Sequence, residues 1–273
     1  MIALSRPPSA DTSRRRANEL LALPHMRLHM ILAILCCLTF WIGGIYLSER
    51  TFNAVPWQSL YEGNRLLYTL LDVVYYVVDG LIILFLGLPL LYGCAMILEG
   101  AARGVREPMT TLFCAFESPR RYRKTLGLML RFIGAHALPV ALCAWLIWAR
   151  YQTDGPDTLW ETLPTTLVFL FVASIVLGRN DAVLTLAYDD PTASVRDVFA
   201  RSRALTKGRL WGLFRFKSSF VGWALLSVLT LGLVLIFHAL PHFSLSYSLY
   251  LTADRDNTPH NLENHLRKDG LSP

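Results

Sequence analysis

A chain of 273 residues that is 53% hydrophobic and only 17% charged, with mean hydropathy +0.39, is too apolar for an ordinary soluble domain, so part of its core must be lipid. A net charge of +6 would suggest nucleic acid in a soluble protein, but here the basic residues lie in three blocks beside apolar runs. That pattern sets topology in a membrane, so no nucleic acid is expected and anionic lipid headgroups are the expected partner.

The five cysteines (Cys36, Cys37, Cys94, Cys114 and Cys143) are odd in number and four of them fall in apolar runs, which indicates neither a disulfide framework nor a zinc set. No metal and no cofactor is expected. Residues 1–27 read as a basic cytoplasmic tail, disordered up to about Asn18. Ser13 to Arg16 carry a faint twin-arginine pattern, but the residues that follow do not fit an export signal.

The first span is expected at about 28–47, with Trp41 and Tyr46 at its outer interface and His25 and His29 as a solvated pair at its inner end. The second apolar run, 66–98, holds Asp72, Asp79 and Pro89 and reads as one long, kinked helix because no polar turn divides it. Residues 99–124 bring back charge and form an inner loop, in which Leu112, Phe113 and Phe116 have the spacing of an interfacial helix. GxxxG at Gly100 to Gly104 falls in this charged region, so its usual meaning in helix dimerisation does not apply.

The third span, 125–149, contains Arg131, His136 and Pro139, and the fourth, 163–188, is interrupted by Arg179, Asn180 and Asp181. Asp190 and Pro191 then open a basic amphipathic helix whose apolar stripe is Val195, Val198, Phe199 and Leu205, with Gly208 as its stop. It leads directly into a fifth apolar run, 218–242, ended or kinked by Pro241. Residues 252–273 form a polar tail. The expected architecture is therefore an all-α polytopic bundle over 28–251, with about five spans, interfacial amphipathic helices, the N-terminus inside and the C-terminus outside. The expected location is the cell inner membrane.

Three groups of polar residues invite chemistry. Arg131 and Asp181 sit at similar distances from the inner ends of their spans, so they are expected to pair, with Arg179 and Asn180 completing an intramembrane network. Asp72 and Asp79, one face of one helix, and His238 and His242, one turn apart, are expected together in the outer half, where the arrangement could bind a divalent metal or relay protons although no metal is assigned to it. Arg120, Arg121, Arg123, Lys124, Arg196, Arg201, Arg203, Lys207 and Arg209 are expected on lipid headgroups, and Arg215 and Lys217 belong to the same basic block. Phosphate-binding glycine loops, Gly-x-Ser-x-Gly and paired CxxC motifs are all missing from the sequence.

From about residue 90 onward the chain resembles a bacterial multi-pass membrane family known as domain of unknown function nine-seven-five. The resemblance rests on Gly93 before a basic loop with Leu112, Phe113 and Phe116, on Asp190-Pro191, on SRALTKGRLWGLF at 202–214, and on FVGW at 220–223. It departs at Pro164-Thr165 and Pro241-His242, where family members tend to carry Pro-Gly and Pro-Tyr. It implies fold and location and assigns no catalytic residue. The expected role is a non-enzymatic membrane scaffold or interaction protein, acting as a homo-oligomer or with other membrane proteins; the alternative is a small transporter or channel that uses the embedded charges.

Overall fold

The computed structural model describes residues 10–54, 57–155 and 158–252, and every element among them is helical. Helices α1 (Ala10–Ala22), α2 (Pro24–Asn53) and α3 (Trp57–Gly63) open the chain. Next, α4 (Arg65–Ile82) passes through one π turn (Ile83–Gly87) into α5 (Leu88–Ala102). A 3-10 segment (Met109–Glu117) precedes α6 (Pro119–Asp154), and α7 (Thr158–Leu177) is separated from α8 (Val183–Asp189) by a 3-10 turn. The chain closes with α9 (Val195–Thr206), α10 (Leu210–Ser218), α11 (Val221–Leu229) and α12 (Leu240–Thr252). The polar tail expected beyond residue 252 and residues 1–9 lie outside the described residues.

Four helical stretches are long and apolar enough to cross a membrane: Pro24–Asn53, Arg65–Ala102, Pro119–Thr153 and Glu161–Asp189. They match the first four expected spans. Residues 218–242, expected as a fifth, do not form one helix. After α11 the backbone reverses at Leu231 and Gly232, whose φ angles of 51° and 84° are both left-handed. Gly232 N–H donates to the Ser227 carbonyl at 2.7 Å and closes the turn.

Ring contacts then read out an antiparallel pairing of the two arms: Trp223 with His238 at 4.6 Å, Phe220 with Phe243 at 5.1 Å, and Phe216 with Tyr247 at 5.6 Å. Residues 221–252 are thus a helical hairpin, and its ends leave on the same side. Its physical cause is glycine, which takes the left-handed conformation without the Cβ clash that other residues meet. The single helix expected over 218–242 is corrected accordingly.

Two prolines shape the long elements in the same way. Pro89 and Pro241 have no N–H, so the carbonyls four residues earlier lose their helical partner. A π turn lies just before each of them, at Ile83–Gly87 and Leu235–Ala239. The Tyr122 hydroxyl donates to the Phe85 carbonyl at 2.8 Å and the Arg27 guanidinium to the Phe237 carbonyl at 3.4 Å, so each freed carbonyl is met by a side chain from another helix.

The main core gathers α5, α6, α8, α9, α10 and α12 around Tyr92, Met96, Leu128, Met129, Val183, Leu186, Val198, Phe199, Leu213 and Phe216. Val198 and Phe199 point into it, so the apolar stripe of α9 faces protein at its centre. Gly93 lets α5 approach the 3-10 segment closely: a Cβ there would overlap the Leu112 carbonyl. Leu112 is consequently buried, and of the three residues expected on an interface only Phe113 and Phe116 are exposed. The N-terminal basic segment differs more. From Ala10 it is helical, and Ser13 and Ala17 are buried where α1 packs against α12, because small side chains let the two helices approach closely.

Candidate functional site

Two polar clamps tie the helices together at the end of the bundle that carries most of the basic residues. The first is centred on Asp181, at the break between α7 and α8, whose side chain is 4% exposed. The 3-10 turn Gly178–Asn180 interrupts the helix there, and the Gly178 position leaves room for the carboxylate. Lys217 from α10 lies 2.6 Å from Oδ2, His136 from α6 lies 3.8 Å from Oδ1, and the Tyr247 hydroxyl from α12 donates to Oδ2. The Lys217 ammonium also sits 5.5 Å from the Tyr247 ring centroid. A buried carboxylate needs this many partners, because an unpaired charge away from water is costly.

Arg131 is not among those partners. It is exposed on α6, so the expected Arg131–Asp181 pair is replaced by Lys217–Asp181. The Arg179 side chain is likewise exposed and Asn180 is half-buried, but the Arg179 carbonyl serves the fold by accepting from Ser202 at 2.9 Å and Thr206 at 3.3 Å, which seats α9 against the break.

The second clamp is centred on Glu99, in the last turn of α5, and Arg103, which caps its C-terminus. Arg103 pairs with Glu99 at 3.0 Å and with Asp189 at 2.6 Å, while Thr185 and Ser248 donate to Glu99 at 3.0 and 2.7 Å. Burial alone would lower the Arg103 pKa, but the two carboxylates outweigh it and hold the guanidinium more firmly charged than usual. Beside it, Tyr188 donates to Glu107 at 2.6 Å, and His29 Nε2 donates to the Glu107 carbonyl at 2.5 Å. His29 is buried, not solvated as expected, and only His25 is exposed. Nothing in the local sequence marked Glu99, Tyr188 or Ser248, because their partners are far away in the chain.

The proposed outer group of Asp72, Asp79, His238 and His242 does not assemble. Asp79 lines an apolar pocket against α2 with Phe40, Trp41 and Gly44, and Asp72 is half-buried on the same helix. The hairpin turn carries His238 and His242 back towards α1, where their rings lie 5.9 Å apart and His242 meets Asn18 at 2.8 Å. Among the described residues no group of three His, Cys, Asp or Glu side chains is placed to hold a metal ion.

The basic residues divide. Arg121 pairs with Glu117, Arg201 pairs with Asp190 at 2.9 Å, and Lys124 donates to the Pro191 carbonyl at 2.5 Å. Arg209 is half-buried and donates to the Tyr250 carbonyl at 3.4 Å. Arg120, Arg123, Arg196, Arg203 and Lys207 are exposed. Asp190 itself is held down to about 2, first by the Thr192 hydroxyl and then by Arg201, with the Ala193 and Thr192 amides adding to them.

Residues 161–255 match a family model described as protein of unknown function (DUF975). The match begins within α7 and takes in α8 to α12, so it contains Asp181 with two of its partners and the whole hairpin. No curated protein matches the chain. No solved structure matches it either.

Proposed function

We propose that the protein is a non-enzymatic membrane scaffold, set in the cell inner membrane with its basic end in the cytoplasm. One observation carries this reading: the buried Asp181 carboxylate is engaged in an interhelical clamp by Lys217, His136 and Tyr247, from three other helices. Such clamps fix one packing of the helices.

The basic end supports the orientation, since positively charged segments stay on the cytoplasmic side. On this reading four helices cross, and the 221–252 hairpin enters from the cytoplasmic side and returns to it. Ten residues of helix reach about 15 Å, half of a hydrocarbon core of about 30 Å. The apolar faces available to other membrane proteins or to a second copy are on α4, none of whose residues is buried, and on α6, where only 6% of the apolar window is buried within the chain.

Reconstitution of the full chain into vesicles carrying proton, sodium and potassium reporters tests the reading. Vesicles with and without protein should dissipate imposed gradients at the same rate. A flux that appears with the protein and is lost in Asp181→Asn would overturn the scaffold and establish a transporter.

A further inference from the structure

We infer that the cleft between α1, α10 and the end of α12 is a binding site for the phosphate of an anionic phospholipid. The cleft has a volume of about 390 Å³ and is lined by Arg14, Gly212, Arg215, Phe216, Ser219 and Tyr250, together with Ala10. No described lining residue is acidic. Arg14 is set in place from two directions. Its guanidinium carbon lies 5.5 and 5.4 Å from the ring centroids of Phe216 and Phe220, and its NH2 donates to the Ser219 hydroxyl. That hydroxyl in turn donates to the Phe216 carbonyl at 2.5 Å, so its geometry is fixed by α10.

Arginine presents several N–H donors in a rigid fork that suits phosphate, and Arg14 uses one of them on Ser219. Arg215, on the opposite wall, makes no ion pair among the described residues. A third guanidinium adds to the field, since Arg209 lies 5.3 Å from the Tyr250 ring centroid. Two guanidinium forks lining one cleft, with the Tyr250 hydroxyl beside them, suit a tetrahedral anion with several acceptor oxygens, while the Ser219 hydroxyl, its proton held by the Phe216 carbonyl, positions Arg14.

The cleft's surroundings select a lipid over a free anion. Directly past Ser219 the surface becomes apolar: Phe220 is followed by Val221 and Leu225, both exposed on the first turns of the hairpin. An acyl chain can lie along that face while the headgroup stays among the arginines, which neither a free phosphate nor a soluble phosphorylated molecule would exploit. The site rests on the membrane-scaffold reading, but its test measures lipid retention and not flux, so either can fail alone.

The test is native mass spectrometry of the full-length protein released from nanodiscs of phosphatidylcholine and phosphatidylglycerol. The wild type should retain phosphatidylglycerol selectively. Arg14→Gln with Arg215→Gln should weaken retention about tenfold, or about 1.4 kcal/mol. Arg15→Gln with Arg16→Gln removes the same charge from exposed positions of the same helix outside the cleft lining and should leave retention unchanged. Equal losses in the two variants would make the attraction delocalised and overturn the site, as would a wild type that retains no phosphatidylglycerol. Complete displacement by millimolar inorganic phosphate would assign the cleft to a free anion and overturn the lipid. If the double variant fails to fold, Arg215→Gln alone decides, because Arg215 is exposed and should lose most of the selectivity without loss of structure.

Discussion

At Asp181 the identity of the partner decides what a substitution does. Asp181→Asn leaves Lys217 facing a neutral amide, and because Lys217 is 30% exposed the cost should be about 2 to 3 kcal/mol, at the lower end for a broken buried pair. Lys217→Met combined with it should restore part of that, whereas Arg131→Gln should change stability by less than about 0.5 kcal/mol. Thermal unfolding in one detergent measures all three, and equal effects of Arg131→Gln and Lys217→Met would contradict the clamp. Gly93→Ala has no such tolerance, since its methyl overlaps backbone at Leu112, and folded protein should not accumulate. Asp190 supplies a pH dependence. Its pKa is lowered from 3.8 to about 2, so its bonds to Thr192, Ala193 and Arg201 are fully present above about 4 and are lost as pH falls through about 2. Amide exchange at Thr192 and Ala193, corrected for the intrinsic rate, should accelerate across that window, and no change would mean that the carboxylate does not hold the turn. Sequence reading found Asp181 but named the wrong cation, because depth along two helices says nothing of which faces meet. Lys217 looked like one more member of a basic block, and its inward turn depends on a tertiary contact 36 residues away.

Among the elements, the π turns and the hairpin show where hydropathy stops being informative. Runs of apolar residues located four long helices, and Pro89 and Pro241 signalled distortion, yet nothing local could say that Tyr122 and Arg27 would meet the freed carbonyls. Tyr122→Phe removes one such bond and should cost about 1 kcal/mol, with the far-ultraviolet helix signal unchanged. The apolar run at 218–242 has the length of a span and the same composition whether it crosses or turns back, since hydropathy carries no direction. Its one clue was Gly232 in the middle of that run, where left-handed backbone is easiest. Leu231, 94% exposed at the apex, is the place to test the outcome. A cysteine at Leu231 should resist membrane-impermeant maleimide from both sides, while a reporter after Thr252 should fall on the same side as one after Lys217. A reporter after Thr252 on the side opposite to one after Lys217 would show that the run crosses.

For the molecule as a whole, the notable packing is between helices far apart in the chain. Helix α1 lies on α12, with Ala17 and Leu245 buried in one cluster beside Met26, Met30, Ala101 and Ala102. Sequence reading left this region as a tail up to about Asn18 because arginine density hides the buried face of Ser13 and Ala17; an amphipathic pattern built on small residues is weak by hydropathy. The contact bears on biogenesis. Until α12 has left the ribosome, α1 has no surface to pack against, so the assembly can close only once the last described helix has been synthesised. A chain that stops after Lys217 would present α1 undocked beside the four long apolar helices, and limited proteolysis of such chains should cut between Arg14 and Arg16, where docking on α12 protects the full chain. The docking of the arginine helix would thus report that α12 has been made.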